Sequence, residues 1–491
     1  MESKTLKILF ASSEVYPFSK TGGLADVSAG LPLALQQLGH DVKIITPAYK
    51  STLKKLEYMG VKLEQKEYSN FTLLSSVIPQ SNLTIYFLDV PELYYRNGSP
   101  YGTELGIDWP DNAERFSTFA DIAIDMAMDT LGLAWKPDVL HCNDWQTGLI
   151  PAKLQQYADR PATLFTIHNM AYLGLFSRSI FNHLNLPEEW WDWNHLEFHG
   201  QFSFLKAGIL YADQVNTVSR TYAEQICTHE YAYGMEGLLN HRSDRLSGIL
   251  NGIDYQEWNP ELDPLIAENF NVDSLSSKYG NKKALQASSN LPITEEIPLI
   301  GMIGRMVEQK GYDLVEKIIP QLMNHRVQIV ILGSGDKNLE QRFLGLENQF
   351  PDRLSVTIGY DETLAHQIEA GSDMFLMPSR FEPCGLNQLY SLRYGTVPIV
   401  NNTGGLADSV VDTNDESIKN KTATGFKFYH PHANQLLSSV VKALNTYENP
   451  NIWRQIQENG MRTDNSWSHS AQNYLSTYRK AIECQGDTNT K

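Results

Sequence analysis

Short apolar runs alternate along almost the whole chain with segments whose apolar residues recur every three or four positions. That alternation predicts parallel strands joined by helices. Lys7 to Ser13 is the first apolar run, Leu24 to Leu38 is the helical segment behind it, and Val42 to Thr46 is the second run. Gly30 and Pro32 interrupt the helical pattern and predict a kink or a second start, and Gly39 ends it. Leu73 to Ile78 and Leu83 to Val90 alternate like strands, as a hairpin or as successive sheet members, and Asn112 to Leu131 reads as a helix. Further strands are expected at Pro137 to Cys142, Ala162 to Ile167, Asp213 to Thr217 and Ser247 to Leu250.

Tyr255 to Pro298 is polar, contains Pro260, Pro264 and Pro292 and shows no long apolar strand, which places a domain boundary there. The alternation then restarts, with strands expected at Leu299 to Ile303, Val327 to Leu332, Leu354 to Ile358, Met374 to Met377 and Val397 to Val400. Ala433 to Asn459 reads as helical with Gly460 as its stop, Trp467 to Glu483 as an amphipathic helix, and Gly486 to Lys491 as a disordered end.

One hexapeptide occurs twice in this pattern. Thr21 to Asp26 and Thr403 to Asp408 both read Thr-Gly-Gly-Leu-Ala-Asp, each between a strand-forming and a helix-forming segment. Paired glycines at a helix start leave backbone N–H groups for an anion, although either copy alone also reads as a tight turn. Only the first copy is preceded by a cation, Lys20.

Length and charge narrow the classes. A chain of 491 residues exceeds one ordinary core, and 42% hydrophobic with 20% charged residues describes a soluble globular protein. A formal charge of -17 disfavours nucleic acid and anionic membrane as partners, so an anionic ligand needs a locally basic pocket. Cys142, Cys227, Cys384 and Cys484 form no CxxC pair, which suggests neither a zinc knuckle nor a disulfide framework and fits a reducing cytoplasm. The polar Met1 to Thr5 followed by Leu6 to Ala11 lacks the features of a signal segment, and no apolar run approaches membrane-spanning length.

Ligands of parallel sheets gather beyond the carboxyl ends of strands. Lys20, Asp144 and His168 follow three such ends. Trp190, Trp191 and Trp193, with His195 and His199, make an aromatic cluster that suits either sugar stacking or core cover. The two histidines have i, i+4 spacing without the HExxH order, so no metal is expected there. In the second half, Gly304, Arg305 and Lys310 set two cations beside a helix start, which suits a diphosphate or a solvated surface. Neither a Walker A loop nor GxGxxG is present, which argues against nucleotide hydrolysis and dinucleotide redox chemistry. Gly333-Ser334-Gly335 permits a close backbone approach, and Pro378 to Leu386 presents Glu382 before a helix, either as a ligand for sugar hydroxyls or as a helix-dipole partner. No histidine stands close to Cys384 to activate it, so its thiol would only line a pocket.

Assembled, these residues make the chain resemble the bacterial glycogen synthases and plant starch synthases, retaining glucosyltransferases of the GT-B fold. The resemblance spans nearly the whole chain. It rests on Lys20-Thr21-Gly22-Gly23-Leu24, His141 to Thr147, His168-Asn169, Asn251-Gly252-Ile253-Asp254, Gly304-Arg305 with Lys310, Ser379 to Leu386 and Thr403-Gly404-Gly405-Leu406. It implies an α/β chain of two Rossmann-like domains facing across an interdomain cleft. The expected divisions are an acceptor-side domain over 1–255, a linker over 256–297, a nucleotide-sugar domain over 298–462, and a segment 463–491 whose helix returns to the first domain.

The implied reaction transfers glucose from ADP-glucose to the nonreducing end of an α-1,4-glucan such as glycogen, with retention and release of ADP. Arg305 and Lys310 would hold the diphosphate, assisted by the amides of Thr403, Gly404 and Gly405 and by Lys20. His168 would lend its backbone carbonyl beside the departing glucose, Glu382 would grip glucose hydroxyls and Asp144 would order the acceptor side. Gly22, Gly23, Asp26 and Asn251 are implied donor contacts, Tyr360 a platform for adenine, and Cys384, Gly385 and Leu386 lining of the donor site. The absence of any Asp-x-Asp pair fits a metal-free clamp, so no cofactor or metal is expected. Tyr390 stands where many relatives carry a second glutamate and Asn143 where many carry histidine, so the ribose contact of that glutamate does not carry over. Alternatives are a related transferase using UDP-glucose or another acceptor, and a glycan-binding protein with decayed catalysis.

Overall fold

The computed structural model describes residues 5–78 and 81–488, and the chain divides into two compact units. The first comprises residues 1–252 and 467–491, the second residues 253–466.

The first unit holds β1 (Lys7–Ala11), β2 (Asp41–Pro47), β3 (Glu64–Glu67), β4 (Thr72–Val77), β5 (Thr84–Asp89), β6 (Val139–Asn143), β7 (Ala162–Ile167), β8 (Leu175–Phe176), β9 (Glu197–Phe198), β10 (Gln201–Ser203), β11 (Gln214–Thr217) and β12 (Leu246–Gly248). Its main sheet runs in the order β12-β11-β7-β6-β1-β2-β5-β4-β3, parallel from β12 to β5 and antiparallel beyond. Side chains of successive residues leave a strand on opposite faces, so Leu9 and Ala11 enter one buried cluster and Ile8 and Phe10 another. Both faces are covered, which is why these strands read as unbroken apolar runs. The sheet order reverses direction between β1 and β6, the place where such sheets bind ligands.

The expected interruption near Gly30 and Pro32 is absent, since one helix spans Gly23–Gln37 with Pro32 inside it. Gly30 has a packing reason instead. A Cβ there would lie 2.0 Å from Trp467 Nε1, the first residue of the helix Trp467–Thr488. That helix buries Trp467, Ala471, Tyr474, Leu475, Tyr478 and Ala481 against the cluster that holds Val27, Leu31 and Leu35, and so belongs to the first unit. It runs through Gly486 to Thr488, where disorder was expected; residues 489–491, like residues 1–4, lie outside the described residues.

The second unit holds β13 (Leu299–Ile303), β14 (Gln328–Gly333), β15 (Leu354–Ile358), β16 (Met374–Met377), β17 (Val397–Asn401) and β18 (Phe426–Phe428). Their order, β15-β14-β13-β16-β17-β18, is parallel throughout, the Rossmann arrangement with its switch point between β13 and β16. Residues 256–297 are part of this unit rather than a linker. The helix Lys278–Ser288 packs so closely on Gly371 that a Cβ there would lie 2.8 Å from both the Asn281 carbonyl oxygen and the Leu285 Cβ. Polar side chains carry much of that packing, which hid it from an apolar pattern. Buried Lys278 donates to the Ala370 carbonyl and the Thr396 hydroxyl, each at 2.7 Å. The expected single helix from Ala433 is two, Ala433–Tyr447 and Pro450–Arg462, because Asn449 caps a new start at Pro450. Gly460 lies inside the second helix against Leu392. Among the described residues no helix is long and apolar enough to cross a membrane.

Candidate active site

The carboxyl ends of β1, β6 and β7 gather one group of polar residues in the first unit. Glu14, just past β1, is 2% exposed and anchors the first Thr-Gly-Gly loop. Its carboxylate accepts from the Thr21 hydroxyl at 2.6 Å, from the Thr21 amide and from the Tyr101 hydroxyl. Burial pushes its pKa up, and these hydrogen bonds work against that shift. Ser12, Ser13 and Glu14 end a parallel strand as Asn143 and Asp144 do, so the strand-end rule that picked out Asp144 could have found Glu14 as well.

Asp144 opens the loop after β6 with a φ of 58°, and its Oδ1 accepts from the His168 amide at 2.8 Å. A carboxylate in that place fixes the backbone whose carbonyl was assigned to the departing sugar. Burial raises the Asp144 pKa to about 7, against the hydrogen bonds from the His168 and Asn169 amides and with help from the charge of Glu14. His168 Nε2 lies 3.0 Å from Asn143 Oδ1, and burial lowers its pKa to about 3, so the ring is neutral at physiological pH. Lys20 pairs with Asp26 at 2.8 Å near the surface, while Gly22 and Gly23 are exposed at the start of their helix. Asn251 is buried, with an Oδ1 that has no hydrogen-bond partner.

Of the aromatic cluster, Trp190 is buried in the core, Trp191 packs on its edge and only Trp193, 72% exposed, presents a surface. His195 bonds the Tyr211 hydroxyl at 2.6 Å.

The second group surrounds the switch point between β13 and β16. Gly333 and Gly335 let their loop lie against the backbone of Gly304 and Met306, for a Cβ on Gly333 would stand 2.0 Å from the Gly304 carbonyl oxygen. That support positions Arg305, which is exposed; its carbonyl accepts from the Val307 amide at 2.8 Å, while its guanidinium makes no hydrogen bond or ion pair among the described residues. Lys310 Nζ lies 2.5 Å from Glu382 Oε2, and the Ser379 hydroxyl donates to the same oxygen at 3.0 Å. The loop around Glu382 is tied to the Arg305–Lys310 segment by Gln309 Nε2 to the Phe381 carbonyl at 3.2 Å and by a two-pronged Arg380–Asp313 ion pair at 2.7 and 2.9 Å. Gly385 adopts a φ of +73°, a conformation that side chains rarely take, and Leu386 immediately precedes the helix Asn387–Arg393. The Cys384 side chain is buried. Tyr360 stands 77% exposed beyond β15, its hydroxyl donating to Glu362 at 3.0 Å.

The second Thr-Gly-Gly copy departs from expectation. The Thr403 amide donates to the Asn401 carbonyl at 2.9 Å, and the Gly405 amide is shared between the Glu382 and Pro383 carbonyls at 3.1 Å each. These donors are therefore engaged within the chain rather than free for phosphate. The glycines serve close approach, since a Cβ on Gly404 would lie 2.0 Å from the Glu382 carbonyl oxygen and one on Gly405 2.0 Å from that of Cys384.

Residues 7–241 match the family model of the starch synthase catalytic domain, and residues 285–460 that of glycosyl transferases group 1. The chain is 50% identical to glycogen synthase 1 of Methylococcus capsulatus over 477 residues, 97% of each chain. It is also 50% identical to the glycogen synthase of Cellvibrio japonicus over 474 residues, 96% of this chain and 98% of that one. Among solved structures, the catalytic domain of starch synthase IV from Arabidopsis thaliana, bound to ADP and acarbose, matches with a TM-score of 0.87 and 32% identity, covering 98% of this chain and all of that one.

Proposed function

The chain belongs to the glycogen and starch synthase family of glycosyltransferases, and on that premise we propose that it transfers glucose from ADP-glucose to the nonreducing end of an α-1,4-glucan such as glycogen. The observation that carries the donor side is the pair of cations at the β13–β16 switch point. Arg305 is exposed and its guanidinium engages no described residue, and Lys310 is held 2.5 Å from Glu382. A guanidinium with nothing to pair offers a fork of donors to a diphosphate, whereas Lys310 contributes a point charge already oriented by a carboxylate. As the bond from C1 to the diphosphate oxygen breaks, negative charge grows on the leaving group, and preorganised cations stabilise it. The acceptor hydroxyl attacks C1 on the face the diphosphate leaves, and its proton passes to the departing phosphate oxygen. Configuration is thereby retained without a carboxylate nucleophile.

Glu382 shares one oxygen with Lys310 and Ser379, and we assign its remaining acceptor capacity to glucose hydroxyls. Asp144 acts through the backbone it fixes at His168. The neutral His168 ring adds no charge beside a developing oxocarbenium centre. On this reading the clamp is built from side-chain cations, so added Mg²⁺ is expected to leave the rate unchanged. The enzyme's place on this reading is the cytoplasm, where a soluble donor and glucan meet.

The test is release of nucleoside diphosphate from ADP-glucose and, in parallel, UDP-glucose, with and without glycogen and with and without Mg²⁺. Glycogen-dependent ADP release that ignores Mg²⁺ supports the reading. Release only from UDP-glucose moves the donor assignment, and no release from either overturns it.

A further inference from the structure

A second cluster of ligand-forming groups lies in the same unit, and none of Arg305, Lys310 or Glu382 belongs to it. Glu362 and His366 stand one turn apart on the helix Glu362–Gly371, so their i, i+4 spacing puts both on one face. Glu257 comes from the turn before Trp258, whose amide donates to the Asp254 carbonyl at 2.8 Å. One ligand-forming atom from each of Glu257, Glu362 and His366 lies within 4.8 Å of those of the other two.

His366 makes this more than a pair of glutamates. It is 2% exposed, its Nδ1 lies 2.7 Å from Asp263 Oδ2, and its Nε2 is buried with no hydrogen-bond partner. The same Asp263 oxygen accepts from the Tyr394 hydroxyl at 2.6 Å, and the other accepts from the Leu265 amide at 2.8 Å. Such a carboxylate is an acceptor, so the imidazole proton sits on Nδ1 and Nε2 offers a lone pair. Trp258 stacks on the ring at 3.8 Å and 13°, and fixes its plane. A buried nitrogen lone pair without a donor is uncommon, and an imidazole held from behind by a carboxylate is how metal-ligating histidines are oriented.

We propose that Glu257, Glu362 and His366 bind one divalent cation of the zinc class. One imidazole nitrogen with two carboxylates suits Zn²⁺ or Co²⁺ better than Mg²⁺ or Ca²⁺, which prefer all-oxygen shells. The ion joins the turn before Trp258 to the first turn of the helix Glu362–Gly371. Glu362 also accepts from the Tyr360 hydroxyl at 3.0 Å, so the ion steadies the residue assigned to the adenine. Its role is structural, and the diphosphate clamp works without it.

The experiment titrates Co²⁺ into chelator-treated, dialysed full-length protein and reads the visible absorbance of the ligated ion. One saturable Co²⁺ per chain is expected, displaced by Zn²⁺, with affinity at least ~tenfold weaker in a Glu257→Gln/Glu362→Gln double variant whose circular dichroism is unchanged. If the double variant fails to fold, Glu257→Gln alone gives the same reading. No saturable binding by the wild type, or equal affinity in a folded variant, overturns the proposal.

Discussion

Two identical hexapeptides in this chain do opposite things. At the first Thr-Gly-Gly-Leu-Ala-Asp, Gly22 is exposed, takes an extended backbone, and would place a Cβ with nothing inside 4 Å. Its loop is held from beneath by Glu14 and faces outward at a helix start. At the second copy, Gly404 and Gly405 are buried against the backbone of Glu382 to Cys384, and the Gly405 amide is spent on that loop's carbonyls. One copy leaves space for a ligand, and the other is a joint that seats Glu382. The neighbours, not the six residues, decide which duty the motif takes.

That contrast can be broken from the catalytic end first. Glu382→Ala or Lys310→Ala removes one member of the pair the second loop seats, and kcat should fall by about 10² to 10³ while the fold persists. Turnover near wild type in a folded variant would contradict the site. Next in size is Gly404→Ala. Its φ of +44° strains any side chain and its Cβ collides with the Glu382 carbonyl, so a loss of roughly 2–4 kcal/mol in denaturant unfolding is expected, together with a drop in turnover. Gly22→Ala should instead leave stability within about 0.5 kcal/mol and raise the KM for the donor, because the added methyl meets the ligand rather than the protein. Equal destabilisation by the two alanines would erase the distinction.

The smallest effect is on pH dependence. Asp144 titrates at about 7 in the folded chain and near 3.8 when unfolded, so between those values only the folded state keeps the proton. The stability this adds is fully present below the unfolded value and is lost as pH rises through about 7. His168 acts in the opposite sense, losing stability as pH falls below its ordinary value, but it does so in wild type and variant alike. Asp144→Asn should therefore flatten the fall in thermal midpoint between about pH 5 and about pH 8, by a few degrees. An unchanged slope would show that Asp144 is not the group responsible.

Most of the architecture was legible, because parallel strands covered on both faces read as continuous apolar runs. β3 was not, since its residues Glu64 to Glu67 are all exposed on a sheet edge, where charge guards against further pairing and leaves no apolar signal. β18 was missed for its brevity, at three residues. Residues 256–297 read as a linker because buried Lys278, Asn281, Lys282 and Gln286 do work usually given to aliphatic side chains. In the site, Lys310 and Glu382 lie far apart in sequence, and their pairing at 2.5 Å needed the fold. Motif and strand-end position identified Asp144 and His168, but not that one holds the other's amide. Whether a helix-start amide is open or already spent depends on what packs over it, which no local pattern records.

The most direct test of the central claim, that the cations at the β13–β16 switch point hold the donor's diphosphate, is calorimetric titration of ADP into the wild type and Arg305→Ala. The guanidinium of Arg305 engages no described residue, so its removal should leave the fold intact and weaken ADP binding about ten- to a hundredfold, or about 1.4–2.8 kcal/mol. Equal ADP affinity in the two folded proteins would contradict the account.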